Sequence, residues 1–304
     1  MSLTTGALPV DPLWPRAGSW PALADLPRGT AVDLTLLGLP TWRTSLSPTG
    51  AHATPAAVRE ALRRYSQHVP GLAVESLRFA DAGDVSEPDG ADGEHRATAA
   101  MREAAERSRL TVAVGGDNAL TVPAALGAWA DALPTAGLIT LDAHHDLRDG
   151  ASNGSPVRRL VEAGLDGHRV VQIGIADFAN SAAYSERAAD LGITVVRRDA
   201  LHGRPLDDVM AEALAIAGAA GGPVHVDLDV DVCDRSVAPG CPASVPGGLA
   251  AWELRRFARL AGASPIVRSI DIAEVDATAD TDDQRTVRLA ALLVLEAAAG
   301  LASR

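Results

Sequence analysis

Three alternating polar side chains in one short segment have the types and the spacing of a metal site. Asp142, His144 and Asp146 follow the apolar stretch 136–141, which predicts a buried strand. In an extended chain alternate side chains point to the same side, so two carboxylates and one imidazole would converge. Such oxygen and nitrogen ligands suit a divalent cation. Taken by itself, the segment is equally typical of a solvated loop.

A second acidic segment favours the metal site over the loop. Asp227, Asp229 and Asp231 alternate with valine and leucine on another predicted strand. Uncompensated carboxylates are costly on a buried strand, so a cation must neutralise them. Two such clusters on different strands suggest two metal ions that share ligands, an arrangement that activates water near neutral pH.

Composition limits the classes of partner. The chain has 304 residues, a formal net charge of −12 and 47% hydrophobic residues. This acidic balance argues against nucleic acid or an anionic membrane as the main partner, but it leaves an anionic small-molecule substrate open. The N-terminus lacks a basic segment followed by an apolar one, and the most apolar late segment, 289–301, is too short to span a bilayer. We therefore expect neither a signal peptide nor a membrane partner.

The cysteines favour a reducing compartment. The chain has two, Cys233 and Cys241, which flank the second acidic segment. No paired-cysteine motif and no finger-like histidine spacing accompanies them, so we expect two unpaired structural thiols and neither a zinc nor a redox site. A cytoplasmic location follows as an expectation.

Strand and helix signals alternate along the chain, which predicts an α/β fold with a parallel sheet covered by helices on both faces. We expect one domain over residues 1–304, with an irregular lead-in over residues 1–30. The predicted strands are 32–39, 77–80, 110–114, 138–141, 169–175, 193–196, 224–230 and 266–272. The predicted helices are 54–67, 94–107, 119–132, 156–163, 182–190, 206–217, 251–260 and 284–299.

In open parallel sheets, sites lie outside the carboxyl ends of the strands. The stretch 231–248 is rich in proline and glycine, which indicates an active-site loop. Asp117 and Asp271 are more typical of capping or turn residues than of metal ligands. The loops after predicted strands that carry the polar residues of interest are 117–118, 142–148, 229–234 and 271–274.

Ordered motifs extend over most of the chain. They are Pro48-Thr49-Gly50 with the helix entry 54–59, Asp81-Ala82-Gly83-Asp84-Val85, Gly115-Gly116-Asp117-Asn118, the segment 142–146, the segment 229–234 with Ala238-Pro239-Gly240, and Asp271-Ile272-Ala273-Glu274. In this order they resemble the ureohydrolase family of arginases, agmatinases and formimidoylglutamases. These proteins are dimanganese hydrolases of guanidino or formimino groups.

The resemblance implies a three-layer α/β/α arginase-type fold with a parallel sheet of about eight strands, assembled as homo-trimers or homo-hexamers. It also implies a small-molecule substrate and two Mn²⁺ ions per subunit. Counting back from Ala238-Pro239-Gly240 selects Asp229 and Asp231 as ligands, which leaves Asp227 without a role. Asn118 stands where most relatives have histidine, so we expect its metal ion to bind weakly. The implied ligands are Asn118, Asp142, His144, Asp146, Asp229 and Asp231, with Asp146 or Asp229 as the expected bridge.

Finer motifs indicate the substrate. Arg148 stands where arginases have an asparagine that contacts the substrate carboxylate, and Ser152-Asn153-Gly154-Ser155-Pro156 resembles a formimidoylglutamase motif. Because arginine binds carboxylates bidentately, an added guanidinium suits a substrate with an additional carboxylate. We therefore expect hydrolysis of N-formimino-L-glutamate to L-glutamate and formamide, a step of histidine degradation. The alternative for Arg148 is a surface salt bridge with Asp149 or another acid.

The resemblance also assigns roles to individual residues. Glu274 would hold the cationic head group of the substrate, and Asp146 would accept a proton. His145 is a candidate replacement for the catalytic shuttle histidine of arginases, although in an extended chain it points away from His144. The implied substrate-binding residues are Arg148, Asn153, Ser155 and Glu274, with Arg43 or Arg158 as a second carboxylate partner.

Two other functions stay open. A guanidino substrate such as agmatine, guanidinobutyrate or arginine would give urea, although agmatine has no carboxylate for Arg148. A pseudoenzyme that has lost a metal and binds amino acids would agree with Asn118 and with the lack of a matching shuttle histidine.

Overall fold

Eight parallel strands form one sheet in the computed structural model, which describes residues 11–304. The strands are β1 (Val32–Leu39), β2 (Phe79–Asp84), β3 (Ser108–Gly115), β4 (Gly137–Leu141), β5 (Val170–Ile175), β6 (Thr194–Arg197), β7 (Val224–Asp229) and β8 (Val267–Ala273). Their order across the sheet is β2-β1-β3-β8-β7-β4-β5-β6, and every neighbouring pair is parallel. The predicted α/β fold with about eight parallel strands is confirmed.

Helices cover both faces of the sheet. The α-helices of the described residues are α1 (Thr54–Leu62), α2 (Gly90–Arg107), α3 (Thr121–Trp129), α4 (Pro156–Glu162), α5 (Ala182–Asp190), α6 (Leu206–Ala217), α7 (Ala251–Ala263) and α8 (Arg285–Leu301). Neighbouring strand residues point to opposite faces, so Ile139 packs in one hydrophobic cluster with α1, α6, α7 and α8. Leu138 packs on the other face, which α2, α3, α4 and α5 cover. The three-layer arrangement is therefore confirmed.

Most elements differ from their predicted bounds by a few residues, and the ends of α1 and β2 are among those that differ most. α1 ends at Leu62 and does not continue to residue 67, because the chain after it pairs with the lead-in: the Ala17 N–H donates to the Tyr65 carbonyl at 2.9 Å. β2 runs past its predicted end at residue 80, and its pairing with β1 continues to Asp84.

The lead-in is irregular where it is described. Over residues 11–31 it contains isolated bridges and a 3-10 turn at Leu23–Asp25, whereas the prediction for residues 1–10 lies outside the described residues. Trp20 stacks on Phe79 with ring centroids 4.7 Å apart, which attaches the lead-in to β2. No helix in the described part of the chain combines the length and the apolarity that crossing a bilayer requires.

Candidate metal centre and substrate cleft

The side chains predicted to do chemistry gather at the carboxyl ends of the four central strands. β3, β8, β7 and β4 are neighbours, and they lead in that order to Asn118, to Glu274, to Asp229 with Asp231, and to the segment 142–146. Asn118 and Glu274 are 156 positions apart in sequence, yet the Asn118 N–H donates to Glu274 Oε1 at 2.9 Å. The site lies at the edge that the rule for parallel sheets predicts.

Five of the predicted metal ligands form two groups that can hold a cation. Donor atoms of Asp142, His144 and Asp231 lie within 4.8 Å of one another, and so do those of Asp142, Asp146 and Asp229. All except His144 are buried, and Asp142 Oδ2 has no hydrogen-bond partner. A divalent ion would supply the partner that this buried carboxylate oxygen lacks. The carboxylate common to both groups is Asp142, whereas we expected Asp146 or Asp229 to bridge.

The chain brings these ligands together by turning, and the extended geometry assumed from the sequence was wrong. β4 ends before the first ligand, and Asp146 has a φ of 52°, in the left-handed region that non-glycine residues rarely adopt. After β7, residues 230–232 form a 3-10 turn capped by Asp229, which accepts from the Asp231 N–H at 2.8 Å. The Ala143 N–H donates to Asp231 Oδ1 at 2.9 Å and joins the two ligand segments.

The concentration of acids at this centre changes its protonation equilibria. Burial, together with Asp231, raises the pKa of Asp142 to about 7. Burial opposes the charge on His144, but Asp231 and Asp142 outweigh it and raise the pKa of His144 to about 12. Burial also raises the pKa values of Asp146 and Asp229 well above their ordinary range. A divalent ion that binds here must therefore displace protons.

The Asn118 side chain contacts Asp146 through its amide nitrogen and Thr121 through its amide oxygen. Its Nδ2 donates to Asp146 Oδ2 at 2.7 Å, and its Oδ1 accepts from the Thr121 hydroxyl at 2.5 Å. The amide oxygen is the atom of this side chain that can coordinate a cation, and it has a second lone pair besides the one that accepts from Thr121. The role of Asn118 as a weak sixth ligand stays a prediction.

Glu274 lies in the cleft, where a substrate-facing carboxylate was predicted. It follows β8 with a φ of 59°, and its Oε1 accepts from the Asn118 N–H at 2.9 Å and from Asn153 Nδ2 at 2.8 Å. Burial and the neighbouring Asp117 raise the pKa of Glu274 to about 8, against the effect of these hydrogen bonds. Asn153 also accepts from the Leu46 N–H at 3.0 Å, so it connects two loops that border the cleft.

A cleft of about 770 Å³ lies beside the metal groups, and Arg148 lines it. Among residues 11–304, the Arg148 guanidinium has an aromatic neighbour, Tyr184, but no hydrogen-bond or ion-pair partner. The Asp149 carboxylate pairs instead with Arg187 of α5 at 2.8 Å. The alternative interpretation of Arg148 as the partner of Asp149 was therefore wrong.

The two arginines suggested as second carboxylate partners point elsewhere. Arg158 donates to the carbonyls of Arg148 and Gly150, so it holds the loop before α4. Arg43 pairs with Glu87 at 3.5 Å and lies outside the lining of the cleft. The structure places neither residue where a substrate in the cleft would meet it.

Two further predicted residues lie outside the cleft lining. His145 Nδ1 lies 2.6 Å from Gln172 Oε1, and Nε2 lies 3.3 Å from Ser185 Oγ, so both ring nitrogens have partners. These partners hold the ring of His145 outside the cleft lining, and its catalytic role stays a prediction. Ser155 is buried and its hydroxyl donates to the Ser152 carbonyl at 2.8 Å, a turn contact that leaves it unavailable to substrate.

Buried polar side chains continue from the centre into the sheet. Asp271 lies within β8, and its Oδ2 is 2.8 Å from His225 Nε2. The predicted turn role of Asp271 was therefore wrong, because this residue pairs across two strands. Asp227 is its register partner on β7, and neither Asp227 oxygen has a hydrogen-bond partner. Asp117 Oδ1 accepts from the Ala119 N–H of the following 3-10 turn at 3.2 Å, which confirms its capping role.

The sequence interpretation missed the side of the cleft that α5 and the loop before it supply. Asn180, Tyr184 and Arg187 line the cleft, and Phe178 is exposed at its border. They follow β5, which neighbours β4 in the sheet. The strand-end rule, applied to the loop after β5, would have found Phe178 and Asn180, but not Tyr184 and Arg187, which lie in α5. Both cysteines are buried and free, as expected.

Comparison with known sequences gives one family. A model described as the arginase family matches residues 32–300. A formimidoylglutamase from Halalkalibacterium halodurans is 35% identical over 271 residues, which cover 86% of this chain and 84% of that protein. A guanidinopropionase from Pseudomonas aeruginosa is 32% identical over 262 residues, which cover 81% of this chain and 80% of that protein.

Solved structures share the fold. The crystal structure of formimidoylglutamase from Bacillus subtilis matches with a TM-score of 0.89 and 30% identity, and the match covers 98% of this chain and 95% of that chain. A variant of Trypanosoma cruzi formiminoglutamase crystallised with Mn²⁺ matches with a TM-score of 0.85. At 22% identity, over 91% of this chain and 95% of that chain, the second likeness shows the common fold alone.

Proposed function

This chain belongs to the arginase family, and we propose that it hydrolyses N-formimino-L-glutamate to L-glutamate and formamide. The observation that carries the proposal is the composition of the cleft. It is lined by the acidic metal groups and Glu274, and also by Arg148, whose guanidinium has no hydrogen-bond or ion-pair partner among residues 11–304. A cationic formimino head suits the acids, and a carboxylate suits the arginine. The reaction class is hydrolysis of a C–N bond in a linear amidine.

The donor set fits two manganese ions per subunit. The ligands would be Asp142, His144 and Asp231 for one ion and Asp142, Asp146 and Asp229 for the other. Carboxylate oxygens with a single imidazole favour Mn²⁺ over zinc. When bound, such a pair of ions activates water for attack near neutral pH.

The protein side chains bind the substrate and move its protons. Glu274 Oε1 already accepts two hydrogen bonds, which leaves Oε2 to accept from the N–H groups of the formimino head. The Asn118 side chain holds Asp146 in place, because its Nδ2 donates to Asp146 Oδ2. The Asp146 carboxylate takes a proton from the attacking water and gives it to the substrate nitrogen, as the bond between that nitrogen and the formimino carbon breaks.

A substrate panel tests the proposal. The manganese-loaded protein is supplied with N-formimino-L-glutamate, guanidinopropionate, guanidinobutyrate, agmatine and arginine, and the release of formamide is compared with that of urea. We expect the highest kcat/KM for the formimino compound. The guanidinopropionase relative makes a guanidino acid the second candidate, because such a substrate also offers a carboxylate to Arg148. Urea release at the higher kcat/KM would replace our assignment.

Asp146→Asn separates an enzyme from a pseudoenzyme that binds amino acids. The amide cannot accept the proton, so we expect turnover to fall at least about 100-fold while the circular dichroism spectrum stays that of the parent. A parent protein that turns over none of the five compounds would favour the binding protein.

We also propose that the protein acts in the cytoplasm as a homo-oligomer, a trimer or a hexamer. Light scattering coupled to size-exclusion chromatography measures the assembly, and a monomer would contradict it.

A further inference from the structure

Two guanidinium groups share one aromatic ring in the wall of the cleft. The Cζ atoms of Arg148 and Arg187 lie 6.0 and 5.6 Å from the centroid of the Tyr184 ring, and all three side chains line the cleft. Contact with the face of a ring orients a guanidinium and leaves N–H groups free to donate. The wall therefore presents two oriented cations in a protein whose net charge is −12.

The two arginines are held differently. Arg148 has no polar partner among the described side chains and carbonyls, whereas Arg187 donates through Nη1 to the Leu147 carbonyl at 2.6 Å and to Asp149 Oδ1 at 2.8 Å. The side chain of Asp149 is 82% exposed, so water screens this ion pair and keeps it weak. A carboxylate that enters the cleft can therefore compete with Asp149 for the Arg187 guanidinium.

We propose that Arg187 binds one of the two carboxylates of the substrate, while Arg148 binds the other and Tyr184 positions both guanidinium groups. The inference rests on the proposed function, and it makes Arg187 the residue that selects dicarboxylate substrates. A guanidino acid with one carboxylate would leave one arginine without a substrate carboxylate, and agmatine would leave both without one.

Three substrates with matched head groups test this role. They are N-formimino-L-glutamate, N-formimino-L-glutamine with a neutral distal amide, and 4-(formimidoylamino)butanoate without the α-carboxylate. With the manganese-loaded full chain, Arg187→Ala should raise KM for the dicarboxylate about 10- to 150-fold, the loss of one charge-assisted contact, and change kcat less. For the monocarboxylate that lacks the carboxylate bound by Arg187, Arg187→Ala should change KM less than about threefold. For the other monocarboxylate, Arg148→Ala should likewise leave KM nearly unchanged.

Asp149→Asn separates a binding role from a structural one. If Arg187 merely anchors the loop through its ion pair, Asp149→Asn should reproduce the loss seen in Arg187→Ala. If Arg187 binds substrate, removing the competing carboxylate leaves KM unchanged or lower. Arg102→Ala is the matched control, because it breaks a similarly exposed pair with Asp131 on another helix and should leave every KM unchanged.

The outcomes distinguish the two proposals. A parent protein that releases no formamide overturns the proposed function. An active parent overturns the present inference if Arg187→Ala keeps the parental KM for the dicarboxylate, or if KM rises equally for all three substrates. If Arg187→Ala does not fold, Arg187→Lys decides with the same substrates, since lysine keeps the charge but not the bidentate geometry and should retain part of the discrimination.

Discussion

At the scale of single residues, two acids of the cleft have an unusual backbone. Asp146 and Glu274 adopt φ values of 52° and 59°. Such a conformation costs about 1–3 kcal/mol for a non-glycine residue and persists only where the surroundings hold it. Asn118 donates to both acids, through its side chain to Asp146 and through its N–H to Glu274. The backbone therefore places two carboxylates in the cleft at the expense of stability.

Glu274→Gln should reduce turnover and stabilise the metal-free protein at alkaline pH. An amide cannot neutralise a cationic head group, so we expect kcat/KM to fall about 100-fold or more. The pKa of Glu274 is raised from 4.5 to about 8, so its contribution to stability is complete below about 4.5 and is lost as the pH rises through 8. Thermal unfolding at pH 6 and pH 9 compares the two proteins. If the parent and Glu274→Gln lost the same stability between pH 6 and pH 9, the buried, acidic environment of Glu274 would be contradicted.

Asn118→His should increase the affinity for the second Mn²⁺ ion. In the parent, the Asn118 oxygen accepts from Thr121 and its nitrogen faces Asp146. An imidazole would offer a ring nitrogen to the metal, and we expect at least about a tenfold gain, comparable to other changes around metal ligands. Calorimetric titration with Mn²⁺ measures it. Asn118→Ala is the control and should weaken activity without raising the affinity.

At the scale of elements, the predictable part of the site is the part at the strand ends. β4 is a short, mostly apolar run that leads into Asp142, and in β7 valine and leucine alternate with polar residues up to Asp229, so the position of the metal ligands could be predicted. The left-handed turn at Asp146 could not, because no sequence pattern requires that conformation of an aspartate. Arg187 was missed because α5 reaches the cleft only when β5 pairs with β4. Arg158 was selected by its charge, but its carbonyl partners are assembled only in the folded chain.

The loop before α4 gives a matched pair of substitutions. Asn153→Ala removes the hydrogen bonds to Glu274 and to the Leu46 N–H, and we expect kcat/KM to fall about tenfold. Ser155→Ala removes a buried turn contact and should cost about 1 kcal/mol of stability with KM unchanged within twofold. Steady-state kinetics and chemical denaturation measure both. A raised KM in Ser155→Ala would restore the substrate-binding role that the sequence motif implied.

At the scale of the whole molecule, metal binding and folding should be coupled through pH. The pKa of Asp142 is raised from 3.8 to about 7, so this group stabilises the metal-free fold fully below pH 3.8 and loses that effect as the pH rises through 7. Free Mn²⁺ at about 100 times its Kd adds about 2.7 kcal/mol per site. We expect the increase in Tm on adding Mn²⁺ to be larger at pH 8 than at pH 6. An equal increase at both pH values would show that protons and metal do not compete.

The position of the metal groups at the ends of the central strands also determines which parts of the protein open locally. β3, β8, β7 and β4 are flanked by β1 and β2 on one side and by β5 and β6 on the other. Amides in such interior strands exchange with deuterium only when the whole sheet opens, whereas loop amides exchange through small local fluctuations. Chelation of the metal should therefore increase deuterium uptake over residues 142–155 and 230–248 and leave the central strands protected. Metal ions can then enter and leave through the cleft while the central strands that support the site stay hydrogen-bonded.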